Sequence, residues 1–331
     1  MTQTGAQGLT VENLTIDIAG ASVVDGVAFT VGCGEVMALV GESGCGKSLT
    51  AFALLGLLPD AAEVVEGRIL MDGLDLAALS ERELRRLRGK RLSIIFQEPT
   101  ASLDPLATVG SQIAQAYRLH HKVGRRAALA RARAMLVSVG ISDPDRRLTQ
   151  YPFELSGGMC QRVMIAIALI CGPDILVADE PTTALDVTIQ AQILDLMKTL
   201  VAERGTGIVL ITHDMGVVAD IADRVAVMYA GRIAEIGPVD AIFANPSHPY
   251  TALLLASVPR LDVSPKERLA TIEGSVPSPE RFGPGCRFSE RCPLADARCH
   301  AQTPPLLAHR PGHFSACWHA DRAHEIARVA A

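Results

Sequence analysis

Residues 41–48 read Gly-Glu-Ser-Gly-Cys-Gly-Lys-Ser, which fits G-x-x-x-x-G-K-[ST]. An unbroken apolar stretch, VMALV at 36–40, leads in, and a helix-forming run, KSLTAFALLGLL at 47–58, leads out. Glycines at 41, 44 and 46 let the backbone turn so that its N–H groups face phosphate oxygens. The start of the next helix adds the positive end of its dipole. This pattern predicts a triphosphate cradle made of Gly41, Ser43, Gly44, Cys45, Gly46, Lys47, Ser48 and Leu49. The Lys47 ammonium reaches the outer phosphates, and the Ser48 hydroxyl ligates Mg²⁺.

Working outward, two further motifs agree with it. ILVADE at 175–180 is a buried strand ending in two carboxylates. Asp179 is placed to hold Mg²⁺ and Glu180 to polarise the attacking water. LSGGMCQR at 155–162 opens an apolar helix that runs to about residue 171, so Ser156, Gly157 and Gly158 put a hydroxyl and bare N–H groups at a helix start, a second anion site. Between 163 and 235 the buried strands ILVAD, IVLIT and RVAVMYAGRIAEIG alternate with helices, the signature of a parallel α/β sheet. Residues 9–40 alternate as short strands, 62–80 as a hairpin around Met71-Asp72-Gly73, and 106–150 carry helical periodicity.

Composition narrows the function. Of 331 residues 49% are apolar and 20% charged, which supplies a sizeable core and excludes disorder over most of the length. A net charge of −5 and 4% aromatics give neither a polyanion footprint nor base-stacking platforms, so no nucleic acid is expected. The basic run at 82–91 is interleaved with Glu81 and Glu83 and reads as a solvated helix face. No apolar run reaches membrane-spanning length, and the stretch MTQTGAQGLT carries no export signal, which predicts a cytoplasmic-side protein. Pro, Gly, His and Cys become dense from about residue 244, predicting a boundary between domains 1–243 and 244–331. Of eight cysteines, Cys286, Cys292, Cys299 and Cys317 fall in that tail as C-x5-C-x6-C-x17-C. Four thiolates so spaced can satisfy an iron–sulfur cluster or tetrahedral zinc, and buried packing is the bland alternative.

LSGG-x-x-Q-R followed by ILVADE resembles the signature of the ABC transporter ATPases. The resemblance implies a P-loop ABC ATPase cassette: a parallel core sheet, an antiparallel β subdomain and a helical subdomain at about 98–172, with a small Cys-rich C-terminal domain. It also implies roles. Gln97 in IIFQEP is similar to the glutamine that reports on the γ-phosphate site and Mg²⁺ and faces membrane subunits. Asp186, after Ala184-Leu185, resembles the D-loop aspartate, and His213 in LITHD resembles the switch histidine at the γ-phosphate. In this family the nucleotide is sandwiched between two cassettes, so Ser156, Gly157, Gly158 and Gln161 act in trans. Two positions depart from the pattern: Ile18 stands where relatives often stack an aromatic on adenine, and Cys160 replaces a polar residue in the signature.

YPFELSGGMCQRVMIAIAL, QEPTASLDPLATVGSQI and the tail segments NPSHPYTALLLASVPR, IEGSVPSP and GCRFSERCPLADARC resemble the dipeptide/oligopeptide permease ATP-binding subunits. Nickel and glutathione importers lie close by as an alternative. The resemblance implies a peripheral ATPase on the cytoplasmic face of the inner membrane. Its expected partners are a second ABC ATPase subunit, two membrane permeases and an extracytoplasmic peptide-binding protein. Its expected cofactors are ATP, Mg²⁺ and a [4Fe–4S] cluster on the four tail cysteines, with zinc as the alternative.

Overall fold

The computed structural model describes residues 8–182, 187–258 and 272–329. Asp186 lies outside them. The strands are β1 Gly8–Ile18, β2 Ala21–Gly32, β3 Val36–Val40, β4 Ala62–Met71, β5 Leu74–Asp75, β6 Leu92–Ile95, β7 Ile175–Asp179, β8 Gly207–Thr212, β9 Arg224–Tyr229, β10 Arg232–Pro238, β11 Leu307–Arg310 and β12 His313–Ser315. The chain divides into two compact units.

The first unit contains Val31–Val36 and Met71–Ile211. Its strands β6, β7 and β8 run parallel, in register from Leu92↔Ile175 to Asp179↔Ile211. Every residue of β7 and β8 is buried, which explains their continuous apolar runs. The helical stretch contains Val109–His120, Arg125–Ser138 and Gly157–Leu169. In the second of these, small side chains at Ala128 and Ala132 and larger ones at Met135 and Leu136 fill one buried stripe. The basic run forms the helix Glu81–Leu87, opened by a Ser80–Glu83 capping box. Glu81 accepts from Arg85 and Arg88 at 2.9 Å each, so part of the positive charge is answered locally.

The second unit contains Thr10–Thr30, Met37–Leu70 and the described residues from Thr212 onward. Strands β2, β1 and β4 lie side by side in that order, and β1 alternates inward and outward residues as its sequence pattern predicts. β3 pairs parallel with β9 from Met37↔Arg224 to Val40↔Val227. The run RVAVMYAGRIAEIG, expected as one strand of a parallel sheet, is instead an antiparallel hairpin. Ala230 and Gly231 sit at φ 46° and 84°, which folds β10 back on β9. The sheet is therefore mixed. β12 pairs antiparallel with β10 through Glu235↔Ser315, and β11 with β12, so part of the tail is bonded into the same sheet as β9 and β10.

A buried polar node holds this join. Glu235 on β10 is fully buried. Its Oε1 accepts from the Ser247 N–H at 2.6 Å and from His313 Nε2 at 2.6 Å, and its Oε2 accepts from the His248 N–H at 3.0 Å. One carboxylate thus satisfies two strands and the start of the helix Pro249–Ala256.

Candidate nucleotide site

The phosphate loop leaves β3 at Val40 and ends at the helix Lys47–Leu55. Two glycines are required by contact as well as by conformation. A Cβ on Gly41 would sit 2.2 Å from the Met228 carbonyl oxygen and 2.8 Å from Cys45 Sγ. Gly46 caps the helix at φ 101°, where a Cβ would meet Val24 Cγ2 at 3.0 Å. Ser43 and Gly44 are exposed, while Ser48 and Leu49 are half-buried on the first turn of the helix. Lys47 is buried and folds over the loop, its Nζ donating to the carbonyls of Gly41 at 2.8 Å and Glu42 at 2.9 Å. The Cys45 carbonyl accepts from the Gly231 N–H at 3.0 Å, which ties the loop to the β9–β10 turn. Burial pushes the Cys45 thiol up, so it stays a neutral packing group beneath the loop.

In the first unit, Asp179 is buried at the end of β7 and Glu180 follows at φ 46°, a left-handed conformation uncommon outside glycine. The Glu180 N–H donates to the Ile211 carbonyl at 2.9 Å, which holds this turn in place. Gln97 is exposed, and its Nε2 donates to Glu180 Oε2 at 2.9 Å. The two residues are 83 positions apart in sequence yet meet side chain to side chain. His213 is exposed just past β8. Next to it, Asp214 caps the helix Met215–Ile221, accepting from the Gly216 N–H at 2.8 Å.

The signature helix Gly157–Leu169 begins at Ser156, whose Oγ accepts from the Met159 N–H at 3.4 Å. Ser156 and Gly157 are exposed, and a Cβ on Gly157 would meet nothing within 4 Å, so this helix start is open to an outside ligand. Gln161 differs from the expectation that it faces a partner's nucleotide. It is buried, and its Nε2 donates to the Pro181 carbonyl at 2.6 Å, tying the signature helix to the turn after Glu180. Cys160 is also buried, its Sγ 3.4 Å from the Pro152 carbonyl, so this departure is absorbed by packing. Ile18 is half-buried at the end of β1.

Sequence reasoning missed Tyr250. Its Oη accepts from the Glu42 N–H at 2.9 Å across 208 positions, a contact that no local pattern announces.

Cys286, Cys292, Cys299 and Cys317 line one small cavity of about 10 Å³, with Phe288, Pro304 and Trp318 among its walls. Burial raises all four thiols, Cys292 to about 11 and Cys317 to about 12, and each is raised further by other cysteines of the set or, at Cys299, by Asp296. One ligand atom from each of Asp296, Cys299 and His319 lies within 4.8 Å of the others.

A glycine-rich phosphate loop in the second unit, and a buried acidic strand end and an exposed Ser-Gly-Gly helix start in the first, define a nucleotide-hydrolysing cassette. The ABC transporter family profile matches residues 24–183, and that of the oligopeptide/dipeptide transporter C-terminal region matches 234–299. The chain belongs to the ABC transporter ATP-binding proteins, in the group that carries this C-terminal region. It is 50% identical to the dipeptide transport ATP-binding protein DppD of Bacillus subtilis over 324 residues, covering 96% of each chain. It is 52% identical to a probable peptide ABC transporter ATP-binding protein of Sinorhizobium fredii over 305 residues, 92% of this chain and 90% of that one. In fold it is similar to the ATP-binding cassette MJ0796, solved as a dimer in a post-hydrolysis state bound to ADP and Pi. There the TM-score is 0.63 at 27% identity, covering 70% of this chain and 98% of that one. The chain is thus an ATPase. Among the described residues no helix is long and apolar enough to cross a membrane.

Proposed function

We propose that this chain is the energy-coupling ATPase of an importer for di- and oligopeptides, docked on the cytoplasmic face of the inner membrane. The observation that carries the reading is the near full-length likeness to peptide-transport ATP-binding proteins, tail included. It sets aside the nickel and glutathione alternative. Its partners are a second cassette, two permeases and an extracytoplasmic peptide-binding protein.

In this reading Lys47 and the loop N–H groups hold the β- and γ-phosphates, and the exposed Ser156 helix start closes on the nucleotide of the other cassette. Glu180 orients the attacking water, Gln97 holds the Glu180 carboxylate in aim, and His213 serves the γ-phosphate. Ser48, Gln97 and Asp179 offer hard oxygen donors, which suit Mg²⁺, and the ion when bound neutralises phosphate charge. The segment after residue 244 is the ancillary Cys-rich domain. Its four cysteines, which line one small cavity, are a soft donor set that suits a [4Fe–4S] cluster, or zinc, as a staple for a region with a thin core.

The test is ATP turnover by the purified chain. Glu180→Gln retains ATP binding and loses about 10²–10³ in kcat, the size of losing one aimed electrostatic group. Unchanged turnover in that variant refutes the assignment.

A further inference from the structure

Glu42 of the phosphate loop is bonded through its backbone and its side chain to residues of the second unit. Its N–H donates to Tyr250 Oη at 2.9 Å, and its carbonyl accepts from Lys47 Nζ at 2.9 Å. Its carboxylate Oε2 accepts from Arg291 Nη1 at 3.0 Å, and its Oε1 is buried without a hydrogen bond. Arg291 is therefore the cation that compensates this carboxylate.

The arginine is itself held on every side. Its side chain is 8% exposed. Nε donates to the Glu273 carbonyl at 2.8 Å, Nη2 to the Ile272 carbonyl at 3.2 Å, and Nη1 also reaches Tyr229 Oη at 3.2 Å. The guanidinium lies 5.7 Å from the Tyr229 ring centre and 5.9 Å from that of Phe288. The Tyr229, Tyr250 and Phe288 rings pack on one another at 4.8–5.4 Å. A guanidinium so fully tied has one placement, and the Glu42 carboxylate follows it.

We propose that Arg291 is a positioning residue for the nucleotide reaction. From the turn between Cys286 and Cys292 it fixes Glu42, whose carbonyl in turn seats Lys47, and so holds the phosphate loop in its binding shape. The proposal rests on the reading of residues 41–48 as the nucleotide cradle. It gives the tail a direct part in ATP affinity, through a bond spanning 249 positions.

The experiment is titration of the full chain with MgATP alongside steady-state ATP hydrolysis. Arg291→Gln is expected to raise the ATP Kd and KM about tenfold, equivalent to about 1.4 kcal/mol. The kcat at saturating ATP stays within about twofold, because the chemistry itself is untouched. Arg291→Lys recovers part of the loss, since the charge returns without the fork. In a Glu42→Gln background the Arg291→Gln effect shrinks well below tenfold, because the two residues act through one bond. Unchanged Kd and KM in folded Arg291→Gln, or the same tenfold effect in the Glu42→Gln background, overturns the proposal. If Arg291→Gln does not fold, Glu42→Leu removes the acceptor of the same bond from the other side, and an unchanged Kd there overturns it equally. Lys47→Ala separates the two levels. Wild-type ATP binding by that variant removes the cradle reading itself, whereas loss of binding there with a silent Arg291→Gln removes only the positioning role.

Discussion

The Glu235 carboxylate offers a sharp test of how the tail is joined to the sheet. Three donors converge on it: the Ser247 N–H at 2.6 Å, the His248 N–H at 3.0 Å and His313 Nε2 at 2.6 Å. In Glu235→Gln one oxygen remains and can still accept from two donors. The new amide NH₂ then faces the third donor, leaving one buried N–H without an acceptor, at about 1–3 kcal/mol. The two surviving bonds fall from charge-assisted to neutral strength, roughly half. The sum is about 3 kcal/mol of lost stability, or several degrees in Tm for a chain of this size. Glu235→Leu keeps a similar volume but accepts from none of the three, so it lies below Gln in stability. Thermal unfolding of the three proteins in one buffer decides the matter. A Gln variant within about 1 °C of wild type, or a Leu variant as stable as Gln, refutes the claim that this carboxylate holds the join.

Two further outcomes are expected. Burial pushes His248 down to about 3, so below about pH 6.5 the unfolded chain takes up a proton that the folded chain refuses. This contribution to stability is complete above about pH 6.5 and declines as pH falls toward 3, by about 1.4 kcal/mol at pH 5.5. His248→Asn keeps an acceptor for the Tyr250 N–H, now held at 3.0 Å, and flattens the acid limb of a Tm–pH curve; an unaltered limb contradicts the assignment. The proposed cluster predicts about four iron and four sulfide per chain in anaerobically purified protein, with a broad visible absorption band lost in Cys317→Ser, and the zinc alternative predicts one zinc in their place. Absence of both metals removes the cluster and leaves the four thiols as packing.

What the sequence made legible follows from where the information sits. The phosphate loop, its strand and its helix lie within 20 consecutive residues, so the motif is read locally even though the contacts that require Gly41 and Gly46 come from Met228 and Val24. ILVAD and IVLIT are apolar throughout because both faces of their strands are covered. The basic run resolved as a solvated helix because Glu81 sits one turn before Arg85. Legibility ended where a partner is remote or a signal is short. The turn at Ala230-Gly231 interrupts two apolar runs too briefly to break a periodicity count, so β9 and β10 read as one strand. β11 and β12 span four and three residues and include exposed positions, so the place of β12 beside β10, with β11 outside it, is set by Glu235 and His313 rather than by pattern. Gln161 falls inside a motif that names a surface function, yet its amide is buried against Pro181, and only packing reveals which way it faces. Arg291 falls in no motif, and its carboxylate partner Glu42 is 249 positions away.

The pairing of β10 with β12 also has a consequence during synthesis. Glu235 and His313 are 78 positions apart. At roughly 5–20 residues per second, the ribosome exposes β10 some 4–16 s before the strand that covers its outer edge exists. Throughout that interval the nascent chain presents an open strand edge and an incompletely satisfied carboxylate, the state in which strands add to the wrong neighbour. Chains released before His313 keep that state permanently. For this protein, termination before His313 therefore yields a sticky species rather than a merely shortened enzyme.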